Sequence, residues 1–267
     1  MLCNPATPKS RLFGSVSKAA LAVALAASLG ACANKPKTDD ITGSIRNPFA
    51  TVENDPRRDA ERFGDEYRRN PADVQVAMAY AQALRRSEQH EQAVAVLEQA
   101  TIKNPKHQGL AGEYGRALAE AGRLQQALEV LSRAHTPDQP DWRVLNAQGA
   151  INDQLGNYKA ARNYYKSALK IAPDEPSILS NLGLSYILSK ELKLAETTLR
   201  RASANPRAEK RVRQNLALSL ALQGKFEEAE KIAGGDLPPE EASANIAALR
   251  DMIRRQQQPR DLPPKQS

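Results

Sequence analysis

The chain has 267 residues and a formal charge of +7, from 38 Lys and Arg against 31 Asp and Glu, with 4% aromatic residues. Its basic residues alternate with acidic ones and aromatics for stacking are few, which counts against a nucleic-acid binder. Alanine is abundant and β-branched residues are sparse, so helix is expected throughout.

Lys9, Arg11 and Lys18 form a basic N-terminal region, and an apolar run from Ala19 to Leu29 follows. At about 11 residues the run suits a signal peptide, whose apolar core spans about 7–15, and is too short for a bilayer span of about 20. It ends in Leu29-Gly30-Ala31-Cys32, which resembles a bacterial lipoprotein signal, although Gly30 stands where Ala or Ser is commoner. The resemblance implies removal of residues 1–31, lipid on Cys32 and a permanent membrane anchor. Cleavage lowers the formal charge to +4 and leaves Cys32 as the sole cysteine, so no internal disulfide is possible. Ala33, where an Asp favours inner-membrane retention, points to the inner leaflet of the outer membrane, facing the periplasm. Residues 32–56 show no period and carry Pro, Gly, Ser and mixed charge, as a flexible tether with a reach of roughly 25–30 Å.

Pro56 to Asn70 is amphipathic, with Phe63 and Tyr67 at i,i+4 spacing, and residues 57–73 are expected to form an N-terminal capping helix. Five units of 34 residues follow, at 74–107, 108–141, 142–175, 176–209 and 210–243. Position 8 of each is small (Ala81, Gly115, Gly149, Gly183, Ala217), and position 20 is always Ala (Ala93, Ala127, Ala161, Ala195, Ala229). Position 24 is large in the first four units (Leu97, Leu131, Tyr165, Leu199), position 27 is Ala there, and Pro105 and Pro173 close their units. Gly234-Gly235 interrupts the fifth unit. Residues 240–255, overlapping it, carry Ile246, Leu249 and Ile253 on one face as a C-terminal capping helix, and the Pro-rich residues 256–267 read as a disordered tail.

This pattern resembles the tetratricopeptide repeat, with the fullest match in the third unit. The resemblance implies an all-α fold, a right-handed superhelical solenoid of about five helical hairpins. Small residues at positions 8 and 20 let paired helices approach closely, and Gly122, Gly156 and Gly224 can take the positive φ of the turn between them. One hairpin cannot bury its apolar face alone, so stability comes from stacking.

No catalytic constellation emerges, and no enzyme is expected. His90, His107 and His135 occupy unrelated repeat positions without a zinc-binding pattern, and no phosphate-binding glycine loop is present. No metal or cofactor is expected. Acidic pairs such as Glu227-Glu228 and Glu240-Glu241 support helix starts, and Trp142 is expected to anchor packing. What the resemblance offers is a concave groove lined by positions 2, 5, 9 and 12 of each first helix. Arg85, Arg116, Asn146, Leu184, Ile187 and Leu218 are the candidate protein-binding residues. Leu184, Ile187 and Leu218 would seat an apolar anchor unless the C-terminal helix covers them, and Arg85 or Arg116 would hold an acidic group. Charge reversal at the two arginines is then expected to weaken partner capture without unfolding the array.

Val212–Leu218, Gln223–Glu230, Asp236–Ala242 and Ala244-Asn245 resemble the TadD-type lipoprotein of tight-adherence (Flp) pilus systems. That family implies a lipid-anchored periplasmic scaffold that helps assemble the pilus secretion machine, with the secretin or other machine components as partners and no nucleic acid. An adaptor for other envelope machines, such as cell-wall enzymes or outer-membrane protein assembly, is the alternative.

Overall fold

A computed structural model describes residues 56–257, which form twelve helices. The expected signal peptide, the tether with Cys32, and residues 258–267 lie outside the described residues. Five helix pairs occupy the middle: α2 (Val74–Arg86) with α3 (His90–Lys103), α4 (Gln108–Glu120) with α5 (Leu124–Leu131), α6 (Trp142–Gln154) with α7 (Tyr158–Ile171), α8 (Pro176–Leu188) with α9 (Leu192–Ser203), and α10 (Lys210–Leu222) with α11 (Phe226–Ala233). They are preceded by α1 (Pro56–Arg69) and followed by α12 (Pro239–Gln257). The architecture is all-α; a single β-bridge, Thr136 to Gln139, closes a turn.

Local chemistry starts each pair. The residue before the first helix caps it in four of the five pairs, Glu209 before α10 being the exception: Asp73 accepts from the Gln75 and Val76 amides, Asp141 from Arg143, and Glu175 from Ser177 ahead of a Pro at the first helical position. His107 does the same job through Nδ1, 3.0 Å from the Leu110 amide. That histidine is therefore structural. Two second helices are short. Past α5 come Pro137 and Pro140, and α11 stops at Ala233 before Gly234.

The turn inside each pair puts one residue in the left-handed region. Gly122, Gly156 and Gly224 sit there at φ +79, and Glu88 and Lys190 fill the same repeat position at φ 62 and 65. A residue with a Cβ costs about 1–2 kcal/mol in that conformation, partly offset by the greater chain entropy glycine loses on folding. Lys190→Gly is therefore expected to stabilise the protein by about 0.5–1 kcal/mol, read as a higher thermal midpoint. An unchanged or lowered midpoint would argue against strain at that turn.

Packing follows the small–large pattern. All five position-20 alanines are 0% exposed, and the position-24 residues Leu97, Leu131, Tyr165 and Leu199 are buried. In units two to four the large side chain fills the space over the position-8 glycine of its own pair. A Cβ built on Gly115, Gly149 or Gly183 would fall 2.4, 2.5 and 2.4 Å from Leu131, Tyr165 and Leu199. The ends are closed by helices. Phe63 and Tyr67 of α1 pack against the core of the first units, with the Tyr67 and Tyr80 rings 5.6 Å apart. Ala242, Ile246 and Leu249 of α12 are buried, and α12 lies against α10 and α11.

Candidate protein-binding face

Successive first helices (α2, α4, α6, α8, α10) touch one another, so their outward residues form one continuous row. From the first unit to the last, its exposed or half-buried residues are Gln75, Met78 and Gln82; Gly109 and Arg116; Arg143, Asn146 and Ala150; Asn181 and Leu184; then Arg211, Gln214 and Asn215. The row is rich in amides, and two of its rungs are cross-linked. Asn181 Nδ2 donates to Asn146 Oδ1 at 3.0 Å, and Asn215 Nδ2 donates to Ser180 Oγ at 3.1 Å. Each of these asparagines keeps a second N–H and its own carbonyl for another partner. Amides are suited to bonding the main chain of a peptide, which presents one donor and one acceptor per residue. Asn181 and Asn215 occupy position 6, outside the positions 2, 5, 9 and 12 expected to line the groove. The signal that would have found them is Asn recurring 34 residues apart.

Three candidate residues need correction. Ile187 and Leu218 are 7% and 5% exposed; they are core, and only Leu184 of that trio is half-exposed. With Ile187 and Leu218 buried, Leu184 has no exposed apolar companion among the three, so no paired apolar anchor site opens at this end. Arg85, 16% exposed, bonds Glu120 through Nε and Nη2 at 2.7 and 2.5 Å, and Glu113 through Nη1 at 2.8 Å. Burial pulls its pKa down, yet the bonds and charge of Glu120 and Glu113 outweigh this and leave it raised. Arg116 pairs with Glu113 as well. Arg85 therefore serves the junction of the first two units, whereas the Arg116 pair lies within α4 and leaves Arg116 half-buried on the row; the expectation that reversing them leaves the array folded does not hold for Arg85.

Asp153, a groove position by spacing, is 9% exposed. Its two oxygens accept from Tyr165 Oη at 2.8 Å and Ser185 Oγ at 2.7 Å, joining α6, α7 and α8. Burial pushes its pKa up to about 6, against the opposing pull of Ser185, Tyr165 and Arg162. Its folded pKa thus exceeds the unfolded value of about 3.9, so the folded state binds the extra proton. Stability from this site is greatest below about pH 4 and declines as pH rises through about 6. Glu196 acts oppositely at lower pH. A hydrogen bond from Lys225, then one from Arg200, hold its carboxyl down to about 2 despite partial burial, so its contribution fades as pH falls from about 4.5 toward 2. Asp153→Asn is expected to stabilise the array by about 1 kcal/mol above pH 7 and to flatten the change in thermal midpoint between pH 5 and 7. A parallel pH profile in the variant would contradict this role.

No group of three or more His, Cys, Asp or Glu residues able to hold a metal occurs among the described residues, and no helix there is long and apolar enough to cross a membrane.

A sequence profile of the tetratricopeptide repeat matches residues 84–151 and 154–214. The mouse protein O-mannosyl-transferase TMTC1 is 31% identical over 111 residues, 40% of this chain and 12% of that protein. The chain thus spans a small part of that relative, and the activity in its name does not carry over. Among solved structures, the Cut9 complex with Hcn1 aligns with a TM-score of 0.63 at 15% identity, over 76% of this chain and 41% of that one. The type IV pilus biogenesis factor PilW aligns at 0.62 with 16% identity, over 72% of this chain and 91% of its own. A Parabacteroides merdae tetratricopeptide-repeat protein aligns at 0.61 with 11% identity, over 74% and 78%. These likenesses concern the fold. Proteins of this fold are typically non-enzymatic scaffolds for protein–protein interaction. With the repeat profile, the left-handed turn residue in every hairpin and the large side chain seated over position 8 in units two to four, the chain carries an array of tetratricopeptide repeats.

Proposed function

We propose that this protein is a lipid-anchored scaffold that binds segments of partner proteins along its first-helix face while a pilus secretion machine of the tight-adherence type is assembled. The observation that carries the binding role is the set of amide side chains along this face, Gln82, Asn146, Asn181 and Asn215, present in four of the five units and cross-linked at two rungs. The pilus role is supported by the TadD-like residues between Val212 and Asn245, and is compatible with the fold shared with PilW. The envelope location is supported by the lipoprotein-type signal ending at Cys32, with the inner leaflet of the outer membrane as the site and the pilus secretin or a neighbouring machine component as partner.

Deletion of the gene tests this reading. Surface pili should disappear while cell-wall growth is unchanged. Wild-type protein should restore them, and Cys32→Ser should leave a folded array that a high-salt wash releases from the membrane. Normal piliation after deletion would sink the pilus role, and membrane fractionation of Cys32→Ser that survives the high-salt wash would sink the anchor.

A further inference from the structure

Charge is sharply segregated among the second helices. Helix α7 carries Lys159, Arg162, Lys166 and Lys170 and no acidic residue, a formal +4. In α9, Lys193, Arg200 and Arg201 against Glu196 give +2. The equivalent helices of the other units are acidic: α3 has Glu91 and Glu98 against Lys103, α5 has Glu129 alone, and α11 has three glutamates against Lys231.

The two basic helices lie side by side and run the same way, because ion pairs tie them near both ends. Arg162 reaches Glu191 at 3.1 Å, just before α9. Arg201 reaches Asp174 at 2.8 Å and the Pro173 carbonyl at 2.7 Å, just past α7. Lys159, Lys166 and Lys170 share one helical face and Lys193 repeats Lys159 one unit on; all four are exposed. None of the four is ion-paired with another described residue. Two exposed aliphatics adjoin them in sequence: Ile171 next to Lys170 at 42% exposure, and Leu194 next to Lys193 at 49%.

We infer that this face docks on an anionic phospholipid surface. An acidic peptide is best gripped by the rigid fork of arginine. Here Arg200 is held by Glu196 and Glu228, and Arg201 by Asp174. What remains free is lysine on flexible stems, spread over two helices each about 20 Å long, with Ile171 and Leu194 exposed about 100° round the helix from Lys170 and Lys193. Diffuse point charge flanked by exposed aliphatics suits a bilayer interface, where lysine stems lie along apolar ground and the ammonium groups meet phosphate. Docking would add a second membrane signal to the proposed anchor; only its biological setting rests on that anchor, since the chemistry of the face is independent of lipid on Cys32.

The test uses the full chain carrying Cys32→Ser, so that no acyl chain contributes. Cosedimentation is compared between vesicles of phosphatidylcholine alone and vesicles with equal parts phosphatidylglycerol. The segment before Cys32, with Lys9, Arg11 and Lys18, is the same in every protein compared, so the loss on replacing the face lysines reports on the face. Binding should favour the anionic vesicles and weaken at high salt. At about 1 kcal/mol per lysine near such a surface, the Lys159→Gln/Lys166→Gln/Lys170→Gln variant should lose roughly 100-fold in partitioning, with helicity and thermal midpoint unchanged. The Glu variants at the same positions should lose more. Equal binding to both vesicle types, or undiminished anionic preference in the Gln variant, would overturn the proposal. So would salt-sensitive capture of an acidic protein segment by this face without vesicle binding.

Discussion

Gly149→Ala is expected to destabilise the array by about 2 kcal/mol, although the same change in an ordinary helix interior stabilises by about 1 kcal/mol. The reversal comes from Tyr165. A Cβ at position 149 would lie 2.5 Å from its Cε1 and 2.8 Å from Cδ1 and Cζ. The ring is 1% exposed, and its hydroxyl is held by Asp153 at 2.8 Å, so it cannot swing aside without releasing a buried carboxylate. Overpacking of about 3 kcal/mol therefore outweighs the helix-propensity gain. The fifth unit shows the remedy, since Ala217 at position 8 goes with the small Ala233 at position 24. Tyr165→Ala should be costly alone, because Asp153 loses a donor, yet should recover at least about 1 kcal/mol when combined with Gly149→Ala. Thermal or urea melts of the four proteins measure that coupling, and strict additivity would refute the steric pairing.

Arg85→Glu should cost about 3 kcal/mol, concentrated in the first two units. The substitution removes three charge-assisted hydrogen bonds and sets a new carboxylate against Glu113 and Glu120. Arg116 still neutralises Glu113, but Glu120 is left facing a like charge. Because stability in a repeat array is a sum of unit and neighbour terms, hydrogen exchange should accelerate in α1 to α4 while α8 to α10 keep their protection. Glu120→Arg in the same chain should restore most of the loss. Uniform exchange across the array, or no loss at all, would contradict the clamp.

These two sites mark where sequence reasoning succeeds and where it stops. The small residue at position 8 and the large one at position 24 repeat every 34 residues, and each pair meets inside its own hairpin, so chain spacing reports the contact directly. Arg85 meets Glu113 and Glu120 across two units, 28 and 35 residues away. Such a contact depends on how neighbouring first helices settle against each other, which no periodic pattern encodes. The same holds for Asp153 with Ser185, 32 residues on. Exposure along the binding row fails to follow from spacing for this reason. Ile187 and Leu218 carry groove numbering, but the stacked helices close over them, whereas Asn181 and Asn215 lie one position off the expected set and reach the row. Asp73 and Asp141 are residue types that announce a cap; His107 caps through a ring nitrogen, which the residue type does not announce.

Site-specific photo-crosslinking in living cells tests the binding face most directly. A crosslinker placed in turn at Gln82, Ala150 and Gln214, all on the first-helix row, should capture the same protein, and that protein should belong to the pilus secretion machine. A crosslinker at Gln126 on the second-helix side of the array should not. Capture from Gln126 but not from the row would contradict the assignment of the face, and capture of cell-wall enzymes from the row would contradict the pilus role.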